Sequence, residues 1–326
     1  MAETDTAMDE ARSFMISRII LTAAELDFFT RLEEKPCTAR EMAREMELDA
    51  RTTTRVLDCL VALCLLEKKS AVYKPTEKGS VYSARHPETI RPMVLHTNHL
   101  WDMWSELTDV VKKGGDSGRQ GIQLDNENWK SFIGAMHVSG RKLAQKIASE
   151  YDLSRFKRLL DIGGASGTYT IAFLRANPSM TAVLFDLANV IPMAKERVVE
   201  EKIADRVQLV AGDFYRDKLP KGCDLALLFA VIHQNSPEKN LELYTKIYRA
   251  LEPGGTVLIR DHIMDESRTK PTAGAVFAIN MLVNRHGGDT YTFAEVKAGL
   301  EKAGFINVKQ VRHGESMDGL VEGRKP

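Results

Sequence analysis

The stretch Arg158-Leu159-Leu160-Asp161-Ile162-Gly163-Gly164-Ala165-Ser166-Gly167-Thr168 decides how this chain folds. Leu159, Leu160 and Ile162 make a short apolar run that reads as a buried strand. The run meets an acid and a glycine-rich turn, and a helical pattern follows from Thr170 to Ala176. Gly163, Gly164 and Gly167 let the backbone turn sharply and come close to a bound small molecule.

Charge narrows what such a loop holds. A dinucleotide fingerprint seats a pyrophosphate on the helix N-terminus. Here Asp161 stands at the strand end, where a carboxylate repels phosphate and attracts an ammonium group. Asp186 closes the run Thr181-Ala182-Val183-Leu184-Phe185, and Asp213 closes Val207-Gln208-Leu209-Val210-Ala211-Gly212. Each interval has the length of one βα unit, so the three acids are expected along the carboxyl edge of one parallel sheet. One acid for an amine, one for ribose hydroxyls and one for an adenine amino group suit S-adenosylmethionine, which carries no phosphate. A nicotinamide dinucleotide is the weaker alternative.

Length and composition allow about two domains with ample core. Lys+Arg and Asp+Glu number 45 each, so no overall charge draws the chain to nucleic acid or an anionic membrane. The start Met1-Ala2-Glu3-Thr4-Asp5 is acidic, unlike a secretory signal, and no run approaches the roughly 18 apolar residues of a membrane helix. Cys37, Cys59, Cys64 and Cys223 show no metal-ligand spacing, so no metal is expected and reduced thiols point to a cytoplasmic protein.

The first 95 residues read as helix, helix-turn-helix and hairpin, the pattern of a winged helix. Apolar residues from Phe14 to Phe29 recur at helical spacing; Thr38 and Glu41 make a capping box; a helix runs through Val56, Leu57, Leu60 and Leu63; and Leu66 to Tyr73 starts the hairpin. A winged helix invites a DNA-binding reading, and charge opposes it: residues 1–95 hold 14 Lys/Arg against 16 Asp/Glu. An interlocked dimer interface is the better expectation. Residues 96–150 read as mostly helical, broken at Gly114-Gly115-Asp116-Ser117-Gly118. His96, Trp101 and Met136 there are candidates for a lid over a small-molecule substrate, or else for a connecting helix in an interdomain core.

In the second half, Cys223 to Ile232 suits a central parallel strand and delivers His233 to the edge that carries the acids. Ser236 as N-cap, Pro237 and Glu238 then open a helix. The strand Thr256-Val257-Leu258-Ile259-Arg260 brings Asp261 to the same rim. A neutral imidazole at that place can take a proton from a phenolic hydroxyl, whose pKa is about 10, and a carboxylate can hold the ring's tautomer. A histidine that opens a helix can also do no more than bond to backbone. Segment 272–286 reads as a helix with Phe277 and Met281 on one face and Asn280 and Asn284 on another, either core or substrate-binding wall.

Taken with the winged helix, Asp161…Gly167, Phe185-Asp186-Leu187, Gly212-Asp213-Phe214, His233 and Leu251-Glu252-Pro253-Gly254-Gly255 resemble the class I S-adenosylmethionine-dependent O-methyltransferases of the plant caffeate and bacterial small-molecule type. The resemblance covers nearly the whole chain. It implies an α/β fold: a Rossmann-like seven-stranded methyltransferase sheet with an N-terminal α-helical winged-helix dimerisation domain. The implied divisions are 1–95 for dimerisation, 96–150 as helical linker and substrate lid, and 151–326 as the donor-binding domain. It implies further a homodimer, His233 as general base with Asp261 beside it, and Gly163, Asp186, Leu187, Asp213 and Phe214 against the cofactor.

Departures from the family's pattern are equally specific. Ala165 stands where a third glycine is usual, tolerable only with a negative φ. His233-Gln234-Asn235 replaces His-Asp-Trp, so a carboxylate and an aromatic wall are missing, and apolar Phe229 replaces a cationic cofactor contact. After Gly287-Gly288 a second acid is usual; Thr290 holds that place with Asp289 adjacent, leaving open whether Asp261 or Asp289 partners His233. The reading is methyl transfer to a hydroxyl of a small, aromatic acceptor. The alternatives are a C-methyltransferase or non-methylating relative, and a winged-helix DNA-binding regulator.

Overall fold

The computed structural model describes residues 3–114, 126–284 and 287–326. Of the glycine-rich break read at 114–118, all but Gly114 lies outside the described residues. The chain forms two compact units, Met1–Trp101 with Leu124–Val138, and Asp102–Gln123 with Ser139–Pro326, so the 96–150 stretch contributes to both.

The first unit begins with α1 (Glu3–Glu25) and α2 (Phe28–Glu34). Strand β1 (Cys37–Thr38) then leads into α3 (Ala39–Glu45), which starts at the expected capping box, and α4 (Ala50–Ala62) follows with Asp49 accepting from the Thr52 N–H. Strands β2 (Leu66–Lys69) and β3 (Val72–Pro75) form the wing; with β1 they make an antiparallel sheet of order β1-β3-β2. Phe28, Phe29, Leu32, Met42, Leu57, Leu60 and Tyr73 fill its core. The short α5 (Glu77–Ser80) closes the winged helix. Three further helices, α6 (Arg91–Ser105), α7 (Leu107–Lys113) and α8 (Asn126–Glu150), lie between the winged helix and the sheet domain in sequence.

The second unit is built on seven strands. They are β4 (Arg158–Ile162), β5 (Thr181–Asp186), β6 (Val207–Ala211), β7 (Cys223–Phe229), β8 (Leu251–Asp261), and, after the short parallel pair β9 (Ile263–Met264) and β10 (Tyr291–Thr292), β11 (Ile306–Arg312) and β12 (Gly319–Arg324). Their order is β11-β12-β8-β7-β4-β5-β6, parallel from β8 to β6, with β12 antiparallel to both its neighbours. Helices α9 (Thr168–Ala176), α10 (Ile191–Glu200), α11 (Pro237–Ala250), α12 (Thr272–Asn284) and α13 (Phe293–Lys302) complete the unit.

A parallel strand covered on both faces must be apolar throughout, and β7 obeys this from Leu225 to Phe229. Ala226 and Leu228 join one core with α11 and α13; Leu225, Leu227 and Phe229 join the other with α8, α9 and α10. Truncating one such leucine typically costs about 2–5 kcal/mol. This core fixes the carboxyl edge on which the chemistry stands.

Candidate active site

The glycine turn leaves β4 at Gly163, whose N–H donates to Phe185 O at 2.8 Å. Gly163 and Gly167 have φ of +72° and +79°. At Gly164 the constraint is space: a Cβ would stand 2.9 Å from Asp161 Cγ and 2.8 Å from Leu184 Cγ. Ala165 overturns the expectation of a negative φ; it sits at +50°. Its N–H donates to Asp186 Oδ2 at 2.7 Å, and that bond helps hold the strained residue in the left-handed region.

Two of the expected acids are buried on this rim. Asp161 is 3% exposed, and Thr170 Oγ1 donates to its Oδ2 at 2.6 Å. Burial pushes its carboxyl up to about 6; the Thr170 bond pulls the other way, and the charge of Asp186 adds to the rise. Asp186 accepts from the N–H groups of Ala165 and Leu187, each at 2.7 Å, and burial raises its carboxyl too. Each carboxylate keeps lone pairs for a ligand. Asp213 accepts from Tyr215 N–H at 2.8 Å. Beside it Phe214 faces the glycine turn: a Cβ on Gly163 would lie 3.4 Å from its ring. Leu187 is an exposed apolar side chain next to Asp186. Phe229, in contrast, packs into the core edge-on to Tyr169 at 4.8 Å.

His233 lies in a 3-10 turn, Ile232–Gln234, just past β7. Its Nδ1 is 2.9 Å from both oxygens of Asp261, and both residues are buried. That pairing makes Nδ1 the N–H and leaves Nε2 to accept a proton. Burial alone would raise the Asp261 carboxyl, but His233, the His262 N–H at 2.8 Å and Arg260 outweigh it and hold the group low. Asp289 does not partner the ring through its side chain; its oxygens meet Arg268 Nη1 at 3.2 Å and Thr290 N–H at 2.8 Å. The turn itself is pinned by Asn240, which donates to Ile232 O at 2.9 Å and accepts from Asn235 at 2.9 Å. Tyr215 and Tyr291 hydroxyls also donate to Asn235.

Helix α12 supplies an aromatic wall that the absent tryptophan does not. Phe277 stands edge-on to His233 at 4.9 Å between ring centroids, and 4.8 Å from His262. Met281 is buried, and Asn280 accepts from Trp104 Nε1 at 3.0 Å and from Asn284 Nδ2 at 2.9 Å. His96, Trp101 and Met136 belong to the other compact unit, where Trp101 lies under Arg18 at 5.4 Å.

Four buried polar atoms of this unit have no hydrogen-bond partner among the described residues: Tyr169 Oη, Arg260 Nε, His262 Nδ1 and Asn284 Oδ1. None was singled out from the sequence for this reason, although a basic residue ending an apolar strand beside Asp261 was a usable signal for Arg260. Such orphans mark places where a ligand completes the bonding. With two rim carboxylates, a tight glycine turn and no phosphate-directed cluster in it, the residues fit S-adenosylmethionine.

Comparison with known proteins agrees. The O-methyltransferase domain family matches residues 104–306, and the O-methyltransferase dimerisation domain family matches residues 8–85. The tetracenomycin polyketide synthesis 8-O-methyl transferase of Streptomyces glaucescens is 30% identical over 325 residues, covering 96% of this chain and 94% of the relative. The acetylserotonin O-methyltransferase of Gallus gallus is 28% identical, covering 97% and 95%. The crystal structure of human N-acetylserotonin methyltransferase in complex with S-adenosylmethionine superposes with a TM-score of 0.85 at 25% identity, covering 100% of this chain and 98% of that one.

Proposed function

The chain belongs to the S-adenosylmethionine-dependent O-methyltransferases that carry a dimerisation domain, and on that premise we propose that it methylates a hydroxyl of a small aromatic molecule, with His233 as general base. The His233–Asp261 pair carries this reading: an imidazole with its Nδ1 fixed by a carboxylate and its Nε2 free, on the rim that also bears Asp161 and Asp186.

When bound, S-adenosylmethionine supplies an electrophilic methyl group. His233 Nε2 takes the acceptor's hydroxyl proton as the oxygen gains the methyl, which turns a weak nucleophile into a phenolate-like one. Asp261 keeps the ring in the productive tautomer and stabilises the imidazolium that forms. Asp161 holds the donor's ammonium and Asp186 its ribose hydroxyls, with Gly163, Gly164, Gly167, Leu187, Asp213 and Phe214 shaping the rest of that cleft. Phe277 and Met281 offer an aromatic acceptor an apolar wall. His262, whose imidazole burial keeps neutral, and Asn284 offer polar contacts for a second oxygen or nitrogen on it.

Residues 1–95 serve dimerisation, 96–150 connect, and 151–326 bind the donor and carry the chemistry. Exposed Phe14, Met15 and Ile16 on α1 support pairing with a second copy. Nucleic acid is not a partner in this reading: of the wing's basic residues, Lys68 and Lys74 are paired with Asp58 and Glu67 at 2.7 and 2.8 Å. No helix among the described residues is long and apolar enough to cross a membrane. Four free cysteines are in keeping with a cytoplasmic location.

Turnover of a panel of phenols by wild type and His233→Ala tests the mechanism. A loss of about 10²-fold or more in kcat is expected, the range for a positioned general base. An unchanged rate removes His233 from the chemistry.

A further inference from the structure

Arg260 ends an apolar strand and is only 8% exposed. Its Nη1 donates to Met317 O at 2.6 Å, and its guanidinium lies 5.0 Å from the Tyr169 ring and 5.6 Å from the Phe229 ring. Among the described residues no carboxylate forms an ion pair with it; Asp318, next to Met317, is held by Arg312 at 3.2 Å. Its charge acts on Asp161 and Asp261 only at a distance, and a guanidinium taken from water without a directly bonded anion is penalised, a cost that one carbonyl and two aromatic faces offset only in part. Its buried Nε and the buried Tyr169 hydroxyl both lack partners. Nε can only donate, and the hydroxyl can donate too. What completes both is an acceptor, best an anionic one.

The position of Arg260 says which anion. In the sheet, Phe229 of β7 is aligned with Arg260 of β8, and Leu227 of β7 with Asp161 of β4. Asp161 and Arg260 therefore flank one strand, offset by two residues along it, with backbones about 12 Å apart at the usual strand spacing and rise. Both face α9: Asp161 meets Thr170, and Arg260 covers Tyr169. An acid and a guanidinium that share the first turn of one helix complement the ammonium and carboxylate of an α-amino acid. S-adenosylmethionine ends in that pair. We propose that Arg260, assisted by the Tyr169 hydroxyl, receives the carboxylate of the donor's amino-acid end. Phe229 then acts as the platform that carries the guanidinium rather than as a cofactor contact itself. The inference rests on the donor lying along this rim and is independent of the acceptor and of His233's role.

Calorimetric titration of the full chain with S-adenosylhomocysteine and with its decarboxylated analogue provides the test, since neither ligand requires turnover. Wild type is expected to prefer the carboxylated ligand by about tenfold or more, the worth of one charge-assisted hydrogen bond. In Arg260→Met that preference should shrink to about threefold or less, and Arg260→Lys should retain part of it. The ligand-free melting temperature of Arg260→Met should change little, because the desolvation cost of the guanidinium goes together with its longer-range attraction to Asp161 and Asp261. Equal weakening of both ligands together with a lower ligand-free melting temperature makes Arg260 a clamp on Met317 and overturns the proposal. So does an unchanged preference, including the case in which only turnover of hydroxybenzoates, and not of neutral phenols, is lost.

Discussion

At the scale of single residues, the acids and the histidine were legible because their positions follow from βα spacing alone. Asp161, Asp186, Asp213 and His233 each end or follow a strand-like run, and chain order places such ends on one rim. Ala165 was not legible: its φ of +50° goes with a bond to Asp186, a residue 21 positions away. Arg260 escaped notice because the lack of a counter-ion is a property of the folded interior. Burial also gives Asp161 a measurable signature. Its carboxyl is pushed up to about 6, and only the charged form can hold an ammonium group. Falling pH therefore adds a proton that must leave before the donor binds. S-adenosylhomocysteine affinity, followed by calorimetry from pH 8 to 5, should be flat at the upper end. It should weaken below about pH 6, by at most tenfold per pH unit. Asp161→Asn should bind weakly with no such bend. A flat wild-type profile would show that Asp161 does not hold the ammonium.

At the scale of elements, helix starts were read correctly where the cap is local. Thr38 with Glu41 caps α3, and Ser236 with Pro237 opens α11. Strand β8 was read too short; it begins at Leu251, which pairs with Cys223, and Glu252-Pro253-Gly254-Gly255 makes a bulge before Thr256 pairs with Leu225, with Gly254 at a φ of +77°. The 3-10 turn that carries His233 could not be foreseen, since what holds it comes from α11. Asn240, one turn into that helix, ties Ile232 O to Asn235, and all three residues are buried. Asn240→Leu removes both bonds and leaves a buried carbonyl and a buried amide unpaired. The expected cost is about 1–3 kcal/mol in chemical denaturation. Because the turn is what positions the imidazole, kcat should fall more than S-adenosylhomocysteine affinity. Equal loss of both would make Asn240 a general core residue with no particular tie to His233.

At the scale of the molecule, strand number followed from the family resemblance, and residues 3–75 fold into the winged helix that their helix-turn-helix and hairpin pattern indicated. The 96–150 stretch was less legible: its helices are long, but their residues divide between two compact units, a matter of packing that helical periodicity does not encode. Helix α1 poses the remaining question of assembly. Phe14, Met15 and Ile16 are 52%, 51% and 48% exposed on a single chain, and Met8, one heptad before Met15, is 48% exposed. Large apolar side chains grouped in this way are unusual on the surface of a monomer. A charge placed among them opposes burial against a second copy far more than it disturbs a solvated face. Phe14→Glu with Ile16→Glu should therefore give a monomer by light scattering at micromolar concentration, where wild type should give the proposed dimer. The donor's proposed ligands all lie beyond residue 150, so S-adenosylhomocysteine affinity should stay within about twofold, a difference below 0.5 kcal/mol. A variant that remains dimeric would exclude this stretch of α1 from the interface.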